Sequence, residues 1–145
     1  MDKNNNLNNR STYFNLTTEL PEPLDLYQHL PFQISVVSNL LQLNRDTSIR
    51  DIVDLEPREL RVILNIGSYM PIKSADVAYQ SRLDSYTVTR AVKKLNELGL
   101  LDINTDKANK KSKLLKLSEK GILVYQKLCD EIKRRETSIE NGLTQ

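Results

Sequence analysis

Between Ser85 and Lys93 the chain places Ser85, Tyr86, Thr89, Arg90 and Lys93 at alternating steps of one and three residues. On an α-helix those steps bring the side chains to one face. Each can donate a hydrogen bond, and the planar fork of Arg90 can hold a phosphate or a guanine edge through two parallel bonds. This is recognition chemistry rather than bond-making chemistry. The hydroxyls of Ser85, Thr87 and Thr89 have no histidine base beside them, and His29 is the only histidine in the chain. Capping and contacts to a nucleic acid account for these hydroxyls more simply than nucleophilic catalysis does. Lys94 adds a further cation to the same stretch.

The elements around this face must be ones that can present it. Asp84 is a capping residue type at the start and Gly99 a stop signal at the end. Val88, Ala91, Val92, Leu95 and Leu98 form an apolar stripe about opposite the polar face, which predicts burial against neighbouring elements. Upstream, Lys73 or Ser74 starts a shorter helix through Val77, Ala78 and Ser81, and Leu83-Asp84 leaves a brief turn, which is helix-turn-helix order. Downstream, Leu101 and Ile103 alternate with polar neighbours, and Lys113, Leu115 and Leu117 resume the alternation. The spacing predicts a β-hairpin whose tip carries Lys107, Lys110, Lys111 and Lys113, a wing projecting beside the helix. Earlier, Pro31 suits the first turn of a helix through Phe32, Ile34, Val37, Leu40, Leu41 and Leu43, and another helix follows Pro57 through Ile66. Ser118 and Glu119 open a last helix with Ile122, Tyr125, Leu128 and Ile132 as its apolar positions.

At these residues the chain resembles the MarR family of bacterial transcriptional regulators, dimeric winged helix-turn-helix proteins. The likeness runs roughly from Leu30 to Leu128. It is most specific from Leu83 to Arg90, from Leu95 to Leu101, and in the closing Lys116-Leu117-Ser118-Glu119-Lys120-Gly121; Leu55-Glu56-Pro57 leading into Leu60 to Leu64 also fits. The family's wing carries an acidic residue followed by two arginines, where this chain has Asn109, Lys110 and Lys111. The tail after Gly121 is shorter than in typical members. The resemblance implies a mainly α fold with a small β-hairpin wing, and a helical dimerisation region built from both termini. It also implies a homodimer on a double-stranded, pseudo-palindromic DNA operator. A small aromatic or anionic effector is implied too, with Tyr27, His29, Arg58, Arg61 and Tyr69 as pocket candidates. In the dimer, Leu128 and Ile132 would meet Phe32, Ile34, Val37 and Leu41.

Composition agrees. At 145 residues and 39% hydrophobic content the chain can build one domain with a real core. The net charge is only +2, yet Arg82 to Lys116 holds nine basic and four acidic residues. We expect residues 1–23 to form a mobile tail and linker, with Asn4, Asn5, Asn6, Asn8 and Asn9 too polar to pack. Residues 24–56 should form an N-terminal dimerisation region, 57–118 the winged helix-turn-helix, and 119–145 a C-terminal dimerisation helix and tail. No stretch approaches the roughly 18 apolar residues of a membrane span, and the start lacks a secretory signal core. The expected location is therefore cytoplasmic, with no membrane partner. Cys129 cannot form an intramolecular disulfide and reads as a packed or surface thiol. Gly67, Gly99, Gly121 and Gly142 stand apart and read as turns and helix ends rather than a phosphate loop. No metal, cofactor or enzymatic activity is expected. The competing reading is a winged-helix module that binds another protein without sequence-specific DNA contact, but such a face would concentrate aromatic or aliphatic anchors.

Overall fold

Apolar stripes from several helices converge in the second of two compact units, which spans Arg45–Gln145; the first spans Met1–Asn44. The computed structural model describes residues 15–43 and 46–143. The asparagine-rich segment from Asn4 to Asn9 lies outside the described residues. The elements are α1 (Leu30–Leu43), α2 (Asp46–Arg50), α3 (Pro57–Tyr69), β1 (Ile72–Lys73), α4 (Ser74–Ser81), α5 (Ser85–Glu97), β2 (Leu101–Thr105), β3 (Lys113–Leu117) and α6 (Glu119–Leu143). The fold is mainly helical with a small antiparallel sheet.

In the first unit, Asp25 caps a 3-10 turn at Leu26–Gln28 by accepting from the Tyr27 amide at 3.0 Å. Helix α1 follows, with Pro31 in its first turn as expected. Leu30, Phe32, Ile34, Val36, Val37 and Leu40 are all exposed along it.

In the second unit, α3 starts at Pro57, and the Glu59 carboxylate closes its first turn by accepting from the Glu56 amide at 2.8 Å. Its buried residues are Leu60, Val62, Ile63 and Ile66. Val77 of α4 and Val88, Ala91 and Leu95 of α5 pack into the same core. Val92 is half-buried, but Leu98, expected in the buried stripe, is 37% exposed because α5 ends at Glu97. There Gly99 turns left-handed at φ 73°, and the Gly99 and Leu100 amides donate to the carbonyls of Asn96 and Leu95, both at 3.0 Å. This closure buries Leu100 in place of Leu98.

Strand β3 is central, in the order β1-β3-β2. Leu101 faces Leu117 and Ile103 faces Leu115 across the hairpin, whereas Ile72 pairs with Leu115 from the other side. The two-residue β1 and the short α2 were not legible in the sequence. Neither is long enough to display a period.

Two glycines read as turns or ends turn out to serve packing. A Cβ on Gly67, inside α3, would run into the Tyr125 ring, whose hydroxyl lies 2.9 Å from Ser68 Oγ. A Cβ on Gly121, in the first turn of α6, would fall on the Leu100 carbonyl oxygen. Ser118 makes this approach hold: its amide donates to Leu100 O at 3.0 Å, its hydroxyl donates to Gly99 O at 2.6 Å, and its oxygen accepts from Gly121 N at 3.0 Å. Lys120 Nζ adds a bond to Leu98 O at 2.9 Å. The motif Ser118-Glu119-Lys120-Gly121 is thus the seam joining the end of α5 to the start of α6.

Along α6, Leu128 is fully buried in the core of the unit, and Val124, Tyr125 and Ile132 are packed partly against it. Leu128 is therefore spent inside its own subunit rather than offered to a second one. Ile122 is at the surface, its place near the core taken by Val124. Near the middle of α6, Arg134 and then Ser48 of α2 hydrogen-bond Glu131 and hold its carboxyl down at about 2.

Two outcomes follow from this packing. Gly121→Ala should destabilise the protein by about 2 to 3 kcal/mol, since a backbone oxygen cannot step aside as a side chain would; chemical denaturation of the variant measures it. The Glu131 carboxylate contributes stability that is complete above its ordinary value of 4.5 and is lost as pH falls towards about 2. Acid unfolding followed by circular dichroism should therefore show a shallower fall in stability across that window for Glu131→Gln than for the unaltered chain.

Candidate nucleic-acid interface

Helix α5 exposes the face that its periodicity predicts. Asp84 caps it, accepting from the Thr87 amide at 2.8 Å and from the Thr87 hydroxyl at 2.6 Å. These two bonds hold the Asp84 carboxyl below its ordinary value. Ser85, Tyr86, Thr89, Arg90 and Lys93 are all exposed, Tyr86 at 70%. The Arg90 guanidinium lies 5.7 Å from the centre of the Tyr86 ring. Thr89 donates back to Ser85 O at 2.8 Å, which leaves its lone pairs facing outward as acceptors. Lys93 reaches Glu97 only at 3.9 Å, both groups being well exposed, so this pair restrains it little.

Two further residues expected among the DNA contacts make bonds within the protein. Thr87 is half-buried and serves the cap. Lys94 donates to Glu59 at 2.8 Å, and that bond raises its pKa. The same Glu59 oxygen also accepts from the start of α3, so one carboxylate ties the first turn of α3 to the last turn of α5. The pair sits on an open groove of about 990 Å³, where Arg58, Arg90 and Lys93 face Asp84 and Glu97.

The wing is a seven-residue turn built on two side-chain caps. Asp106 accepts from the Ala108 amide at 3.0 Å, Asn109 accepts from the Lys111 amide at 3.1 Å, and the Asp106 amide bonds Ser112 O at 2.9 Å. Asp106 also pairs with Lys73 at 3.1 Å. The Ala108 amide first, and Lys73 second, hold the Asp106 carboxyl below its ordinary value. Asn109 stands where the resemblance placed the family's acidic residue, and here it caps the turn; the acid of the wing is Asp106, anchored to the start of α4. Lys107, Lys110, Lys111 and Lys113 are all exposed. Among the described residues none of these four forms an ion pair.

The expected effector residues are distributed over both units. Tyr27 lines an open, largely apolar hollow of about 330 Å³ in the first unit with Leu16, Leu24 and Phe32. His29 is half-buried at the end of the 3-10 turn. In the second unit, Arg58 is on the groove beside α5, Arg61 donates to Ser81 O at 3.4 Å, and Tyr69 is exposed at the end of α3.

Sequence reasoning missed Glu59, Lys73 and Asp106, whose partners lie far along the chain. It also missed Tyr79 and Arg82. Tyr79 is 72% exposed and the Arg82 guanidinium lies 4.6 Å from the centre of its ring. A large aromatic three residues before an arginine, next to a helix-turn-helix turn, was the available signal. Among the described residues no cluster of metal-ligating side chains occurs. No described helix is long and apolar enough to cross a membrane.

Comparison with known proteins agrees with this geometry. Residues 55–121 match the family described as winged helix DNA-binding domain. No curated protein matches the chain. A MarR/EmrR family transcriptional regulator from Acinetobacter sp. ADP1 is similar in structure at 25% identity and a TM-score of 0.71, over 80% of this chain and 82% of that one. The PcaV transcriptional regulator from Streptomyces coelicolor, solved with its natural ligand, superposes with a TM-score of 0.72 at 21% identity over 83% and 84% of the two chains. Streptococcus pneumoniae FabT, solved in complex with DNA, gives 0.70 at 19% identity over 80% and 82%. Residues 55–121 thus match a winged helix DNA-binding domain, and the chain shares its fold with MarR-family transcriptional regulators of known structure.

Proposed function

We propose that the protein is a transcriptional regulator that binds double-stranded DNA in a sequence-specific manner, as a homodimer on a pseudo-palindromic operator. The observation that carries this reading is the exposed donor face of α5, with Tyr86 and Arg90 at its centre, next to four wing lysines that have no ion-pair partner among the described residues. Helix α5 enters the major groove, where Ser85, Tyr86, Thr89 and Arg90 meet base edges or phosphates and Lys93 meets the backbone. Lys107, Lys110, Lys111 and Lys113 follow the backbone or the adjacent minor groove, where negative potential concentrates. Thr87 and Lys94 contribute indirectly, by holding the helix in place.

Residues 57–118 carry the DNA-binding surface, and residues 24–56 and 119–145 pair the subunits. The apolar residues exposed along α1 support that pairing: Phe32, Ile34, Val37 and Leu40 offer surface that a second copy would cover. Two-fold symmetry then sets the α5 helices about one duplex turn apart. A small aromatic or anionic effector regulates the dimer by binding one spacing of these helices better than another, since equal affinity shifts nothing. Tyr27, His29, Arg58, Arg61 and Tyr69 are the candidates to test. PcaV, crystallised with its natural ligand, supports the effector in this reading.

Selection of bound sequences from random duplex by the purified protein tests the function directly. If the dimer neutralises roughly eight phosphates, log affinity for the selected site falls against log salt with a slope of about −7. A flat response favours the protein-binding alternative. Arg90→Ala should cost roughly 1 to 3 kcal/mol on the selected site and much less on scrambled DNA. Lys110→Ala with Lys111→Ala should weaken both duplexes alike and flatten the salt dependence. Unchanged affinity in both variants, with the fold intact by circular dichroism, defeats the proposed surface. Sedimentation should show a dimer at micromolar concentration; a monomer that retains full operator affinity contradicts the dimer.

A further inference from the structure

In the turn between α4 and α5, backbone and side chain make opposite demands on one residue. Arg82 sits at φ 55°, ψ 40° and, among the described residues, is the only non-glycine with a positive φ. Glycine takes this conformation freely, whereas a Cβ there crowds the following carbonyl. Arg82 is exposed, and its guanidinium lies 4.6 Å from the centre of the exposed Tyr79 ring. No carboxylate among the described residues pairs with it. A cation over an exposed ring is weakly held, so this contact offsets only part of the backbone cost. Within the free protein, then, glycine would suit the position better than arginine. An uncompensated outlier of this kind points to a use for the side chain outside the subunit.

The position indicates what that use is. Arg82 precedes Ser85 by three residues, which places it within about 10 Å of the first turn of α5. Tyr86 and Arg90 repeat the same chemistry within α5, 5.7 Å apart, so a tyrosine-arginine pair lies on each side of that helix start. Arg82 is not on the helix that would follow a groove. It stands just before the start of that helix, where a duplex backbone would pass if α5 entered the groove. Apart from Tyr79 and Tyr86, the exposed side chains around it, Gln80, Asp84 and Ser85, are polar and supply no aliphatic anchor for a protein partner. A guanidinium held over a ring keeps its edge donors available for a phosphate.

We propose that Arg82, carried on the Tyr79 ring, is a clamp for the phosphate backbone of a DNA duplex at the edge of the groove that α5 enters. This rests on the DNA-binding reading above. Tyr79 positions the guanidinium and Arg82 makes the contact.

Arg82→Gly separates the two demands, because it removes the cation while relieving the backbone. Its melting temperature should equal that of the unaltered chain or exceed it by about 2 to 4 °C. Its affinity should fall on the order of tenfold on the selected operator and on scrambled duplex alike, with the salt slope reduced by about one per subunit. Arg82→Gln, which keeps the Cβ, should lose the same affinity without the gain in melting temperature. Tyr79→Phe should bind as the unaltered chain does, and Tyr79→Leu should lose part of the affinity. Arg82→Gly with unaltered affinity and salt slope overturns the clamp. A loss confined to the selected operator also overturns it, by assigning Arg82 to base readout. If the unaltered chain binds no duplex at any salt, the DNA-binding reading fails and the clamp with it; binding that is indifferent to Arg82 removes the clamp alone.

Discussion

The structure depends on the burial of one stripe, Val88, Ala91 and Leu95 of α5, against α3 and α4. Val88 and Leu95 are fully buried and Ala91 nearly so, and side chains of this size each contribute about 1.5 to 3 kcal/mol when fully buried. A helix is a rigid screw, so fixing one face fixes the other. Once the stripe is inside, Ser85, Tyr86, Arg90 and Lys93 have only solvent or a partner to face. The proposed DNA-binding surface is a geometric consequence of the core rather than a separate construction.

The ends of α5 are held as firmly as its middle. Asp84 closes the start through Thr87, while Gly99, Leu100 and the Ser118 seam close the end against α6. Glu59 pins the helix sideways through Lys94 and closes the first turn of α3 with the same oxygen. A helix held at both ends and along one side loses little further freedom on binding, which would lower the entropic cost of the proposed docking on DNA.

Charge is divided by the same architecture. Lys73 and Lys94 are committed to Asp106 and Glu59, where they set the wing and α5 in place. The lysines at the wing tip are left to solvent. A chain with a net charge of only +2 can therefore still present exposed cations there, because Asp84, Asp106 and Glu59 are occupied with caps and internal pairs. The turn at Arg82 fits this division. Its left-handed backbone costs about 1 to 2 kcal/mol, and the cation above Tyr79 returns about 0.5 to 1 kcal/mol at so exposed a site.

By itself the sequence determined the elements that a local period can encode. The two faces of α5, the alternation of β2 and β3, the capping role open to Asp84 and the break at Gly99 all depend on neighbours within a few residues, and those neighbours are read along the chain. Tertiary structure decided what depends on distant residues meeting. Glu59 and Lys94 are 35 residues apart, and no spacing rule pairs them or Lys73 with Asp106. Leu98 belonged to the apolar stripe by period but lies beyond the last turn of α5, and Leu100 fills the core instead. Leu128 was expected at a dimer surface, and packing around α3 and β3 put it in the core. Gly67 and Gly121 are needed where another element crosses within a Cβ radius, a condition that exists only after the chain has folded. The strand β1 is recognisable only through its partner β3, because two residues carry no period of their own.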